Sequence, residues 1–400
     1  MPVSRRNFLL GGLTLPALAA KKKPVLEKPN IVLMTTDDLP CWMLGGYGNK
    51  EVRTPNLDRL AQTGTRFRNH FTSAPAPKPG LATLLTGRTP MQVGAGGEIS
   101  GSDVTIEKVL SGAGYACQSI GGVAGGDASA AAQKFLDQQQ AGKPFFLSVA
   151  FLGLQPPYDG IPQKYLDLYA GQRFENYSVE TIAANARAGR EMLLNRTANL
   201  RKVAAGITAL DDNVQTILAR LSQKQVVDQT LVIFTSTCGS LYGRRGLWDS
   251  GDASNPPNMY EEVVNTPMVW SWPGRVPAQA TVVELVSAYD LMPSLCDVVD
   301  VELPNRNLCG RSYKALATGK PLPKKQPWRF TVFGHYQNTG MARVERYKLV
   351  LRNEGKGPNE LYDLAADAGE HTNQVDNDQF VSVKSTLSGE LAEWRKKYSA

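Results

Sequence analysis

The chain has 400 residues, 42% of them hydrophobic and 20% charged, enough apolar material for a large core and too much for a disordered protein. Its net charge of +7 comes from Lys and Arg spread along the chain. No basic run is interleaved with aromatics, which argues against a nucleic-acid partner.

At the N-terminus Ser4-Arg5-Arg6-Asn7-Phe8-Leu9 precedes a short apolar stretch that closes on Ala17-Leu18-Ala19. Residues 1–20 resemble a twin-arginine export signal, so the expected mature protein is soluble, bacterial and periplasmic or secreted, starting near Ala20. The apolar stretch is too short to span a bilayer, and no other run approaches the roughly 18 to 20 apolar residues a membrane helix needs.

From about Pro29 apolar runs alternate with helical patterns, the mark of a sheet covered by helices on both faces. Asn30 to Met34 is a buried strand, and Thr54-Pro55 supplies a cap and first-turn proline for a helix ending at Gly64. Further strands are predicted at Tyr115 to Ile120, Pro144 to Leu152, Thr230 to Ser236 and Pro267 to Trp272. Leu200, Val203, Ile207, Leu210, Val214, Ile217 and Leu221 repeat at spacings of three and four, which predicts one long covering helix. Around Pro321 to Pro327 the composition turns to Lys and Pro, a linker or crossing segment. Beyond it Arg329 to Phe333, Met341 to Arg352 and Asn359 to Leu364 read as short strands, and Asp378 to Tyr398 as a closing helix, together a small antiparallel sheet with one helix. The five cysteines have no zinc-like spacing, and in a chain this long buried free thiols are expected for most.

The segments PNIVLMTTDDL, GYGN, TPNLDRLAQTGTRF and LATLLTGR open a longer series. LDDNVQTILARL, TLVIFTS, GLWDSG, MYEE, WPGRV, AYDLMPSLCDVV, GRS and ELYDLAADAGEHTN follow in order. Together they resemble the sulfatases of the alkaline phosphatase superfamily over roughly residues 27–395. The resemblance implies an α/β fold: a large mixed sheet between helices over residues 27–320, and a small antiparallel α+β domain over residues 328–400.

The resemblance also says where chemistry belongs. Sulfatases carry C-x-P-S-R or S-x-P-S-R, whose first residue becomes formylglycine. Counting from Phe67 to Arg88 without a gap puts that position on Pro77 and the motif's arginine on Leu81. Proline has no side-chain heteroatom, so no formylglycine is expected. The family's calcium or magnesium is held by two adjacent Asp residues and by the D-H-G or D-N-G after the FTS strand. Asp37 and Asp38 are present, but Thr237 and Cys238 replace the later ligands. These hard cations want several oxygens, and a thiol is too soft, so calcium or magnesium would bind weakly and no cofactor is expected. Without a cation, Asp37 and Asp38 read as caps on neighbouring amides or as solvent-facing acids.

The family's basic positions fall on Gly122 and Ala124 in the G-K-W-H-L-G-like stretch, Gln155 before Pro156-Pro157-Tyr158, and Ser250 in GLWDSG. None can hold a sulfate or protonate a leaving group. Lys78 is the one cation left beside the old nucleophile, a possible anion contact or a solvated loop lysine. Ser73, Thr83, Cys238 and Ser250 are the nucleophiles nearby, and His70, His335 and His371 lie outside the family's catalytic positions, so no triad can be assembled from spacing. The expectation is a sulfatase-like protein with no catalytic residues. Its neutral cleft, lined by Leu81, Gly122, Ala124 and Gln155, would bind a glycan or a partner protein, with a metal-dependent sulfuric ester or phosphoester hydrolase as the alternative.

Overall fold

A computed structural model describes residues 28–122, 125–152, 154–177, 180–303, 307–322 and 327–399. The export-like segment 1–20 and Ala124 lie outside them. No helix among the described residues is long and apolar enough to cross a membrane.

The large sheet has seven strands: β1 (Asn30–Thr36), β2 (Thr65–Phe67), β4 (Ala116–Ile120), β5 (Phe145–Ala150), β6 (Thr230–Ser236), β7 (Met268–Ser271) and β8 (Ala280–Val282). Their order is β4-β5-β1-β6-β7-β2-β8. All pairings are parallel except those of β7, which runs antiparallel to β6 and β2. A separate two-residue pair joins β3 (His70–Phe71) to β9 (Val286–Ser287). The central strands β1 and β6 are buried along their whole length, which explains why both read as unbroken apolar runs rather than alternating ones.

Alternate residues of β1 feed two cores. Val32 and Met34 pack with helices α1 (Pro55–Gln62), α4 (Gly125–Gln138) and α5 (Arg196–Gln223). Ile31 and Leu33 pack with α2 (Pro77–Thr86), α3 (Ile106–Gly112) and α6 (Leu291–Val299) on the other face. The predicted stripe of α5 is buried from Leu200 to Leu221 as expected. Thr54 precedes α1 but does not cap it: its hydroxyl donates to Asp58 and accepts from the Gly45 N–H. The orphan amides of α1 are met by Asp211 of α5, whose carboxylate accepts from Asn56 N, Leu57 N and Asn56 Nδ2 at 2.7–3.0 Å.

The small sheet is β10 (Val332–Tyr336), β11 (Thr339–Arg343), β12 (Tyr347–Arg352) and β13 (Glu360–Asp363), antiparallel throughout, with α7 (Val381–Tyr398) packed on it through Leu387, Leu391 and Trp394. The run Met341 to Arg352, expected as one strand, is two: the chain reverses at Val344, whose N–H donates to Tyr347 O.

The seam between the two sheets is both apolar and ionic. Phe71, Ala76, Met259 and Val264 meet Val332, Met341 and Val350. Beside them Lys348, fully buried, donates to Met259 O at 2.7 Å and pairs with Glu261 at 3.2 Å and with Glu370. Arg245 joins Glu370 to Glu262, and Arg343 reaches Glu261 at 3.4 Å. Burial pushes Glu261 up, but Lys348 and Arg343 overcome it and hold that carboxyl below its ordinary range. The MYEE and AGEHTN segments thus build the joint between the sheets. All five cysteines are free thiols.

Two predictions come from this seam. Lys348→Met strands Glu261 and Glu370 without their shared ammonium, and should cost about 3–5 kcal/mol of unfolding free energy by denaturant titration. His70, buried with Nδ1 on Thr266 Oγ1 at 2.9 Å, is pushed down to about 3 by burial. His335 is pushed down to about 4 by burial and then by Arg395. Both fold neutral, so below pH 6.5 the unfolded chain takes up protons that the native chain refuses. Stability should fall from pH 6.5 towards pH 4 by about 1.4 kcal/mol per pH unit for each histidine. Thermal unfolding against pH should show His335→Gln with the shallower slope.

Candidate functional site

The carboxyl ends of β1 and β6 lie side by side because the two strands pair in parallel register, Asn30 with Thr230 through to Thr36 with Ser236. The register carries past the strands. Thr237 N–H donates to Thr36 O at 2.9 Å, and the Ser236 hydroxyl holds Thr36 O at 3.1 Å and accepts from Leu39 N–H at 3.2 Å. Asp37 is therefore opposite Thr237 and Asp38 opposite Cys238. The Thr237 hydroxyl donates to Asp37 Oδ1 at 2.6 Å, and the Cys238 thiol to Asp38 Oδ1 at 3.3 Å.

Asp38 is 2% exposed and sits in the left-handed region at φ 56°. Tyr242 donates to its carbonyl at 2.6 Å. Its Oδ2 closes no hydrogen bond of ordinary geometry, although the Gln155 amide is near enough to favour the charged form. Burial, then the neighbouring Asp249 and Asp37 carboxylates, hold Asp38 well above the usual carboxylate range. Burial also raises Asp37, against the Thr237 hydrogen bond. Burial pushes the Cys238 thiol up, and Asp38 and Asp37 push it further, so it is no thiolate nucleophile.

Asp249 was not singled out in the sequence. It stands at φ 95° in GLWDSG, with its carboxylate accepting from Ser250 N–H at 2.7 Å, and burial raises its pKa. The surroundings of Asp38 are thus acidic. Even so, among the described residues no three His, Cys, Asp or Glu side chains stand close enough together to hold one metal ion. With two of the Asp37 and Asp38 oxygens taken by Thr237 and Cys238, and a soft sulfur among the donors, these residues do not fit the calcium or magnesium that the family implies.

Pro77 is the first residue of α2, after Ala76, which provides no side-chain cap. Helix N-termini bind anions through their free N–H groups, and the prolines at 77 and 79 remove two of those donors from the first turn. The turn is also packed from several sides. A Cβ on Gly80 would lie 2.4 Å from Thr237 O, so a serine there would collide with the strand end. Gly97, at φ 61°, sits against Lys78 and Pro79 so closely that a Cβ would fall 2.3 Å from Pro79 N. Gly251 N–H donates to Pro75 O at 2.8 Å, and His335 N–H to Ser73 O at 2.8 Å.

The remaining positions differ in exposure. Ser250 is 3% exposed, with its carbonyl held by Asn258 Nδ2 at 2.9 Å. Leu81 is half-buried on α2, while Gln155 is exposed, as is Gly122 (φ 70°), whose missing Cβ would meet nothing within 4 Å. Lys78 is exposed and makes no hydrogen bond or ion pair among the described residues. Tyr158 is buried, accepting from Trp248 Nε1 at 2.7 Å. Ser73 and Thr83 are fully buried, their hydroxyls without a hydrogen-bond partner among the described residues, and His371 is exposed in the small domain. Two cavities are found elsewhere. One, of about 290 Å³, lies by Asn30, Lys143 and Lys224 at the opposite end of β1, and one, of about 480 Å³, by Gly46, Asp58 and Arg66. Neither is lined by the strand-end residues.

Comparison with known proteins agrees with this architecture. The sulfatase family model matches residues 29–126 and 126–301, and that of N-sulphoglucosamine sulphohydrolase, C-terminal, matches residues 256–397. An N-acetylglucosamine-6-O-sulfatase of Bacteroides thetaiotaomicron is 23% identical over 97% of this chain and 90% of the relative. Arylsulfatase A of Homo sapiens is 26% identical over 87% and 84%. The phosphonate monoester hydrolase of Agrobacterium radiobacter superposes with a TM-score of 0.78 at 19% identity, covering 93% of this chain and 96% of its own. A structure solved in complex with its substrate D-glucosamine-2-N,6-O-disulfate gives the same score at 20% identity, covering 93% and 98%. At such identities the superpositions speak for the fold alone. With its family model matched across both halves of the large sheet, the chain belongs to the sulfatase family, within the alkaline phosphatase superfamily.

Proposed function

We propose that this protein is an exported member of the family that does not hydrolyse sulfate esters and instead uses its surface to bind a glycan or a partner protein. The observation that carries the reading is Pro77. It stands where the resemblance puts the nucleophile, at the first position of α2, and offers neither a side-chain heteroatom nor an N–H. The surrounding substitutions support it: Leu81, Gly122, Ala124, Gln155 and Ser250 supply no cation to hold a sulfate, and Thr237 and Cys238 are engaged with Asp37 and Asp38. The N-terminal Ser4 to Leu9 segment supports export.

A second reading, a metal-dependent sulfuric ester or phosphoester hydrolase using a water nucleophile, is favoured by one feature, the unpartnered Oδ2 of buried Asp38. Both readings meet in one assay. The protein, produced with a formylglycine-generating partner, is offered aryl sulfates, N-acetylglucosamine 6-sulfate and phosphate mono- and diesters, with calcium or magnesium. The expected outcome is no turnover above an Asp37→Ala control. Metal-dependent turnover abolished by Asp37→Ala would establish the hydrolase.

The binding reading has its own consequence. With the basic positions neutral, N-acetylglucosamine 6-sulfate should bind no more tightly than its unsulfated parent in calorimetric titration. A tenfold preference for the sulfated sugar, about 1.4 kcal/mol, would contradict it.

A further inference from the structure

We infer that the Thr237 hydroxyl and the Cys238 thiol bridge the ends of β1 and β6 by donating to Asp37 and Asp38, making the two carboxylates acceptors of an internal latch rather than ligands of a divalent cation. The inference rests on the non-catalytic reading above and gives that reading's two retained acids a structural task. Each donor faces its acceptor across the same 200-residue offset that the strand register sets, at 2.6 Å for Thr237 and 3.3 Å for Cys238.

A cation between these strand ends would need hard oxygens from both sides. Calcium takes about six to eight of them and is drawn by carboxylate charge. Here the two residues just past β6 present an O–H and an S–H, each donated to a carboxylate. The backbone leaves little room besides, since Gly80 at the start of α2 is pressed on Thr237 O. Among the described residues Asp38 Oδ2 closes no hydrogen bond of ordinary geometry, so the latch uses one oxygen of that carboxylate and is no complete substitute for an ion.

If donors on β6 close the site, exchanging them for acceptors should open it. Thr237→Asp with Cys238→Asn adds a third carboxylate and a hard carbonyl oxygen at the same register positions. Calcium binding is measured by calorimetric titration and by the melting temperature in millimolar calcium against EDTA. The wild type should show neither heat at this site nor a shift, whereas the double variant should bind with a Kd of about 10⁻³ M or tighter and melt higher with calcium. Wild-type binding that disappears in Asp37→Asn would overturn the inference, as would a folded double variant that stays indifferent to calcium. Should the double variant not fold, the comparison of wild type with Asp37→Asn decides alone. The two claims fail separately: calcium bound without turnover sinks the latch and spares the non-catalytic reading, while turnover without calcium does the reverse.

Discussion

The parallel pairing of β1 with β6 is the constraint from which the rest of this molecule takes its shape. Both strands are buried along their whole length, and their register fixes which residues meet beyond the strand ends. In a family that hydrolyses sulfate esters such a junction is where ions and nucleophiles gather. Here it gathers a threonine and a cysteine that each donate to one oxygen of the facing acid. The first turn of α2 then packs on that junction through Gly80, and Gly97 packs on the turn.

Several of the segments that carry the family likeness have structural reasons to be what they are. Asp211 holds the N-terminus of α1 with three hydrogen bonds. Glu261, Glu262 and Glu370 join the large sheet to the small one through Lys348, Arg245 and Arg343. A buried ionic cluster of this kind is costly to break one partner at a time, because the charge left behind is uncompensated. Loss of the reaction would leave these demands untouched, which is consistent with a scaffold that remains legible while the cleft residues differ.

The strands with long apolar runs and the stripe of α5 could be read from the chain because burial and helical period leave a direct mark on residue type. Pro77 could be read as unable to carry a nucleophile, and Thr237 and Cys238 as poor ligands for a hard cation, because those properties belong to the residue type. What could not be read was arrangement. β2 and β8 are three residues each, too short to show a period. The reversal between β11 and β12 falls on Val344-Glu345-Arg346, with no Gly, Pro, Asn or Asp to mark it. Asp249 joins the acidic group, and Gly97 covers α2, through loop paths that no local pattern encodes.

The central claim is that the strand-end junction belongs to the core rather than to an open site. Hydrogen–deuterium exchange of the Leu39, Thr237 and Gly239 amides, each hydrogen-bonded in the structure, measures this most directly. The account predicts protection close to that of the β1 and β6 interiors, unchanged by calcium or by sulfated sugar. Fast exchange that slows when either is added would show an open, ligand-organised site and contradict it.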